Sequence, residues 1–536
     1  MKISFYMAAL ATVMAVPALA QETYENAKIA TEDLNGTARY VGMGGAMDAL
    51  GADISTIGTN PAGIGLFRKS NISLSAGMVS QRDAKNFGGG HTTNVSFDQV
   101  GFVWTNQTSS TNFVNFAFNY HKSRNFNQIL EAADALDHAS QNKLTYAKDK
   151  NDLLFKYDNK DRPDLENPYV QCNQLDDMYY RNMIYQPGHP MGDWGYYEGD
   201  AYTMNRSHTG YISEFDFNLS GNSKNTLYWG LTLGFHDVHY KHYGEYAEHL
   251  IGDDVTFPKS FDLTVGDDRS ITGYGFDVKL GVIVRPIEES PFRFGITVAT
   301  PTWYDLKTSN YTTMACYGQN FSNGSVYKGG SVSANESYKF RVNTPWKFGI
   351  SAGHTIGTEL AMGIGYEFSD YSKIDSRYKT EGRYDWYYDT YSESSESDEA
   401  MNRHTSKTLK GVSTLKVGFE YKPDPAVAIR LGYNYVSPMY SNDGFKDGTI
   451  ASEGSYYSSA TDYTNWDSTE RLTCGIGIQM DKWNFAAAYQ YSTQKGNFSP
   501  FMAYEDNTSR ADDNIAREVS VKNQRHQLLF TVGYTF

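Results

Sequence analysis

The sequence predicts an all-β protein: a transmembrane antiparallel β-barrel of about 14 strands with a short helical N-terminal hatch inside its lumen. Three observations carry this reading. Segments of about ten residues with alternating polarity recur along the chain, the length at which a tilted strand crosses a bilayer. Short and long connections alternate between them. The composition suits strands and membrane-interface belts, with 42 Tyr, 29 Phe, 48 Gly and aromatics at 15%. Mean hydropathy is -0.54, and past residue 20 no run reaches the roughly 18 apolar residues that a membrane helix needs.

The elements follow in order. Residues 1–20 have a lysine near the start, an apolar stretch from Ile3 to Val16 and the small-residue end Ala18-Leu19-Ala20. This is the pattern of a secretory signal cleaved before Gln21, so the mature protein leaves the cytoplasm. Residues 21–70 form the hatch. Within them Met43, Met47, Leu50, Ile54 and Ile57 make one apolar stripe at helical spacing, while Gly42, Gly44, Gly45 and Gly51 interrupt any long helix and let backbone approach a wall. Pro61 fixes its own φ and biases Asn60 towards an extended conformation. Asn60-Pro61-Ala62-Gly63 is therefore a sharp corner with a polar amide at its apex.

Residues 71–536 form the barrel. Strands are expected near 71–79, 96–104, 112–121, 210–220, 226–242, 270–285, 291–306, 338–354, 358–371, 409–422, 425–437, 469–480, 483–495 and 523–536. Alternation is clean where it can be checked: Leu227, Trp229, Leu231, Leu233 and Phe235 oppose Tyr228, Gly230, Thr232 and Gly234. A soluble sandwich also has period two, so the connections decide. Short links such as Asp481-Lys482 alternate with long ones such as 122–209 and 372–408, as periplasmic turns alternate with external loops. The last strand alternates to Tyr534 and a terminal Phe536, an ending similar to the assembly signal of outer-membrane barrels. A barrel this wide leaves a lumen that must be blocked, which gives the small-residue N-terminal stretch its place.

Gly36-Thr37-Ala38-Arg39, Gly42-Met43-Gly44-Gly45-Ala46, Asp53 and Asn60-Pro61-Ala62-Gly63 together resemble the hatch of the outer-membrane long-chain fatty-acid transporter family, the FadL/TodX type. Arg293-Phe294-Gly295, Ala299-Thr300-Pro301-Thr302 and Asn343-Thr344-Pro345-Trp346-Lys347 resemble strand pieces of the same family. The resemblance implies passive uptake of hydrophobic compounds such as long-chain fatty acids, with a pocket beside the hatch and lateral release into the bilayer. It assigns gating to Asn60, Pro61, Ala62 and Gly63, and hatch packing to Gly42, Met43, Gly44 and Gly45. Relatives also suggest two alternatives: a haemin receptor, and a barrel partner in a protein-secretion or surface-binding assembly.

The remaining features bear on partners. A formal net charge of -15 argues against nucleic acid. A hydrophobic small molecule, outer-membrane lipid and lipopolysaccharide are the expected contacts, with a protein partner at the external loops as the second. His236, His239 and His242 are candidates for haem or a metal, although alternation sets His239 opposite the other two and solvent-facing rim positions are the simpler reading. Cys172 and Cys316 fall in two external loops, where export permits a disulfide; Cys474 shares the apolar face of Leu472, Ile476 and Ile478. Residues 125–150, with Ile129, Leu130, Ala133, Leu136 and Ala139, have the spacing of an amphipathic helix. No nucleophile triad or carboxylate pair is specified, so the expectation is a non-enzyme without a cofactor.

Overall fold

The computed structural model describes residues 23–137, 139–150, 173–181, 195–385, 387, 390–448, 450, 452, 460–504 and 513–536. The export-signal segment and Cys172 lie outside them. Fourteen strands close an antiparallel barrel. They are β1 (Asn71–Gln81), β2 (Thr93–Gln107), β3 (Phe113–Asn125, resuming as Gln128–Ala135), β4 (Glu198–Ser223), β5 (Leu227–Ile251), β6 (Ser260–Val284) and β7 (Arg293–Ala299, resuming as Trp303–Cys316). There follow β8 (Gly330–Asn343, resuming as Lys347–Ile356), β9 (Leu360–Asp370, resuming as Asp375–Asp385), β10 (Gly411–Asp424), β11 (Val427–Val436), β12 (Tyr463–Met480), β13 (Trp483–Ser499) and β14 (Val519–Thr535). Closure is by β1 on β14, in register from Asn71 opposite Thr535 to Gln81 opposite Arg525.

Every strand turns a large apolar side chain outward. Around the barrel these include Ile72, Trp104, Phe116, Leu219, Phe235, Leu280, Ile296, Phe348, Ile364, Phe419, Leu431, Ile476, Phe485 and Phe530, all exposed. So continuous an apolar surface is stable only against hydrocarbon, and the sheet has no open edge. At the turn end, Trp483, Tyr534 and Phe536 pack edge to face, with centroids 4.9 and 5.1 Å apart, as an interfacial aromatic girdle does. The chain is thus a membrane-spanning β-barrel.

Strands occupy every stretch expected of them, but several run much further outward. β4, β5 and β6 have 26, 25 and 25 residues, where about 9–11 cross the hydrocarbon. Most of 243–269 is therefore strand rather than loop. Residues 128–135 also correct an expectation: they form strand, in register with 201–208 of β4, and the helix begins only at Gln141. Leu130 and Ala132 are buried there at a strand spacing of two, with Ile129 also buried. The extended outer half of β4 offers unpaired backbone groups, and satisfying these outweighs the helical spacing.

Inside the lumen lie helix α1 (Thr23–Ala30), the short helix α2 (Ala38–Gly42) and two 3₁₀ turns, Ile54–Ile57 and Pro61–Leu66. Alpha-helical length is short because Gly44, Gly45 and Gly51 have positive φ. Tyr24 of α1 stacks against Tyr440, and Tyr463 lies at the same 5.1 Å centroid distance, so α1, the first piece of the 21–70 segment, packs against the barrel wall apart from the rest of the hatch.

Candidate functional site

The Asn60 corner is seated on glycines of the wall. Asn60 caps its turn, its Oδ1 accepting from Ala62 N at 3.2 Å, and Pro61 supplies the first helical φ. Gly230 and Gly281 are cross-strand partners on β5 and β6, and a Cβ on either would collide with the corner; one on Gly295 of β7 would lie 2.8 Å from Asn60 Nδ2. Asn60 Nδ2 is buried with no hydrogen-bond partner among the described residues. The corner is held by its cap bond, by the backbone bonds Asn60 N to Thr56 O at 2.8 Å and Gly63 N to Asn60 O at 2.9 Å, by Asn218 Nδ2 of β4 reaching Pro61 O at 3.5 Å, and by shape.

A second seat carries the Gly42–Gly45 stretch. Gly353, Gly363, Gly418 and Gly432 form a lateral row across β8 to β11, each opposite the next. A Cβ on Gly363 would collide with Ala46 O, on Gly418 with Met43 O, and on Gly432 with Gly44 N. Wall side chains satisfy the hatch carbonyls at the same place: Thr473 Oγ1 donates to Gly42 O at 3.2 Å and Asn434 Nδ2 to Gly44 O at 3.3 Å. Arg39 then pairs with Glu420 at 2.9 Å, which also accepts from Arg430 at 2.7 Å.

Between hatch and α1 is a chamber of about 190 Å³. One side is cationic. Asp33 of the hatch accepts from Arg124 at 3.0 Å and from Asn125 N at 2.9 Å, and Arg471 lies 3.7 Å away. Arg525 lines the same chamber. Burial raises the Asp33 pKa, but Arg124, Arg525 and Arg471 together with the Asn125 N–H outweigh it and hold the carboxyl below its usual range. One carboxylate thus faces three guanidiniums. Phe126, Tyr371, Tyr440 and Trp466 give the chamber an aromatic side. An apolar chain with an anionic end fits such a mixture of surfaces.

The wall beside the chamber is puckered. Phe276 pairs with Trp303 and Lys279 with Ala299, so three residues of β7 face two of β6. Asn343 pairs with Asp375 and Lys347 with Ser369, so three residues of β8 face five of β9. Pro301 and Pro345 sit in the two breaks and have no N–H to offer the ladder. A second cavity of about 20 Å³ lies behind the pucker and shares Glu32, Thr59, Lys347 and Glu367 with the chamber. The Glu32–Lys347 ion pair, hatch to wall, therefore stands between the two spaces.

No family model matches the chain, and no curated protein matches it. Solved barrels do. The Ralstonia pickettii toluene transporter TbuX aligns at 12% identity over 94% of this chain and 99% of its own, with a TM-score of 0.47. A Pseudomonas aeruginosa FadL homologue aligns at 11% over 95% and 100%, TM-score 0.47, and the Pseudomonas putida toluene transporter TodX at 10% over 94% and 99%, TM-score 0.44.

The structure separates the remaining candidates. His236 and His242 face the lumen and are buried, which corrects the rim reading for both; His239 is on the outer face, half exposed, paired with Asp237 at 2.9 Å. The three do not converge, because alternate strand positions point to opposite faces. Cys316 is a buried free thiol, and Cys474 is exposed on the outer face with Leu472 and Ile476. Sequence reasoning missed Asp33, Arg124, Arg471 and Arg525, which come from four separated segments. It also missed Glu214 and Asp216, and Asp277 and Lys279, whose signal was available: charged residues two apart on a strand share one face.

Proposed function

We propose that this barrel is a channel, not an enzyme, for passive uptake of hydrophobic compounds that carry an anionic head, with long-chain fatty acids as the type. The observation that carries the reading is the chamber, where Arg124, Arg471 and Arg525 gather around Asp33 and where Phe126, Tyr371, Tyr440 and Trp466 supply aromatic surface. A carboxylate head gains charged hydrogen bonds worth about 1.5–3 kcal/mol each, and the tail gains about 0.8 kcal/mol per buried CH₂. Downhill movement then needs no energy source. The ligand enters from the outer-leaflet side, where the tall β4–β6 wall meets lipopolysaccharide, and waits above the hatch. Rearrangement around Asn60-Pro61-Ala62-Gly63 and opening of the Glu32–Lys347 pair lead it to the pucker at Pro301 and Pro345, and from there sideways into the bilayer.

Binding of dodecanoate and of dodecanol to the purified barrel tests this reading. Dodecanoate binds more tightly to the wild type, and Arg525→Gln weakens it by about 10–100-fold while leaving dodecanol unchanged. Equal loss for both ligands, or no loss for either, would overturn the assignment of the arginines to the head group.

A further inference from the structure

A compact ionisable cluster lies under hatch residue Gly58, apart from the chamber arginines. Glu214 and Asp216 of β4, His236 of β5, Asp277 and Lys279 of β6 are buried; His121 of β3 is nearly so. Each carboxylate gives one oxygen to Lys279: Glu214 Oε1, Asp216 Oδ1 at 3.3 Å and Asp277 Oδ1 at 3.3 Å. Their second oxygens turn to the imidazoles. Glu214 Oε2 is 3.6 Å from His121 Nε2 and 3.8 Å from His236 Nδ1, and Asp216 Oδ2 is 3.5 Å from His121 Nδ1. These separations are too long for hydrogen bonds. They approach the roughly 3.3 Å between neighbouring ligands on a tetrahedral ion with bonds of about 2.0–2.1 Å.

Two further features point to an ion at this place. His236 Nε2 is 2.9 Å from Asp277 Oδ2, the carboxylate contact that fixes a metal-binding imidazole with its other nitrogen unprotonated. That other nitrogen, His236 Nδ1, is buried without a hydrogen-bond partner among the described residues, as is Asp216 Oδ2. In the neutral tautomer that gives Nε2–H to Asp277, Nδ1 and Glu214 Oε2 would face each other as two lone pairs. Three carboxylates against one ammonium also leave a formal surplus of two negative charges in a buried space, which one divalent cation cancels. The triads Glu214–His236–Asp277 and His121–Glu214–Asp216, each with its ligand atoms within 4.8 Å, share Glu214.

We propose that this cluster binds one divalent transition-metal cation of the zinc class, with Glu214 and His236 as ligands, His121 and Asp216 completing the set and Asp277 orienting His236. Imidazole with carboxylate suits such ions better than calcium or magnesium, which prefer oxygen alone. The site joins β3 to β6 directly beneath Gly58, where a Cβ would lie 3.7 Å from His121 and 3.9 Å from Asp216. Bound metal therefore stiffens the floor on which the hatch rests.

The experiment uses the full barrel in detergent, stripped with EDTA and titrated with Zn²⁺ at pH 7.5, with bound zinc read by atomic emission. One zinc per chain is expected, and Co²⁺ in its place gives visible d–d absorption. Glu214→Gln and His236→Ala each lower affinity at least tenfold, Asp277→Asn lowers it by about 10–100-fold, and the outer-face His239→Ala binds as wild type. Heat-modifiable migration checks that each variant is folded, and the Co²⁺ spectrum of Asp277→Asn reads ligation without deleting a ligand. Absence of stoichiometric zinc in the wild type, with His236 doubly protonated by NMR at pH 7.5, would mean that protons neutralise the cluster and would overturn the proposal. Zinc retained at wild-type affinity by folded Glu214→Gln would overturn it equally.

Discussion

Gly418→Ala puts one methyl group where the wall touches the hatch. The added Cβ would collide with Met43 O and stand 3.2 Å from Ala46 Cβ, both on the hatch. The wall cannot yield, because Gly418 is paired on both sides, with Gly363 and with Gly432. The hatch must shift, and the bonds Thr473 Oγ1 to Gly42 O and Asn434 Nδ2 to Gly44 O lengthen with it. Overpacking of about 1–3 kcal/mol plus about 0.5–1.5 kcal/mol for a weakened hydrogen bond gives a loss of about 1.5–4.5 kcal/mol, carried by the hatch and not by the barrel. Single-channel conductance in planar bilayers reads this directly: the wild type is closed to ions, and the variant shows frequent openings while its barrel stays heat-modifiable. Gly330→Ala is the control, since no atom lies within 4 Å of its added Cβ. If Gly418→Ala is as quiet as Gly330→Ala and its hatch is equally protected from protease, the glycine row is not what seats the hatch.

Three further outcomes follow from the same contacts. Asn60→Ala removes the cap bond to Ala62 N, costs the Pro61–Leu66 turn about 1 kcal/mol and raises amide exchange there, measurable by hydrogen exchange with mass spectrometry. Lys347→Met breaks the pair with Glu32 between chamber and pucker, so delivery of dodecanoate into liposomes speeds up while chamber affinity changes little; slower delivery would mean that the pair is not a barrier. Asp33 has a folded-state pKa lowered by Arg124, Arg525 and Arg471 against the opposing effect of burial. Its contribution is complete above its ordinary pKa of about 3.9 and is lost as pH falls through the lower folded value. Conductance from pH 7 to 5 is therefore flat, openings rise below about pH 4, and Asp33→Asn abolishes that dependence.

Strand positions, barrel closure and outward apolar faces were legible in the sequence, because period two and connection length are local properties and a bilayer demands both. The corner at Asn60-Pro61 and the broken helices of the hatch were legible for the same reason: proline and glycine act on their own backbone. The strand at 128–135 was not, since its helical spacing yields to an edge of β4 that lies some 70 residues on in the chain. Nor were the glycine seats. Gly363, Gly418 and Gly432 read as ordinary inward small residues until the register sets them in one row against Met43, Gly44 and Ala46. Only closure of the barrel brings Asp33 to Arg124, Arg471 and Arg525, and only the pairing of β4 with β5 and β6 turns Glu214, His236 and Asp277 onto one point. Sequence alone determined which face each residue takes; tertiary structure decided which faces meet, because register and closure are set by the whole sheet at once.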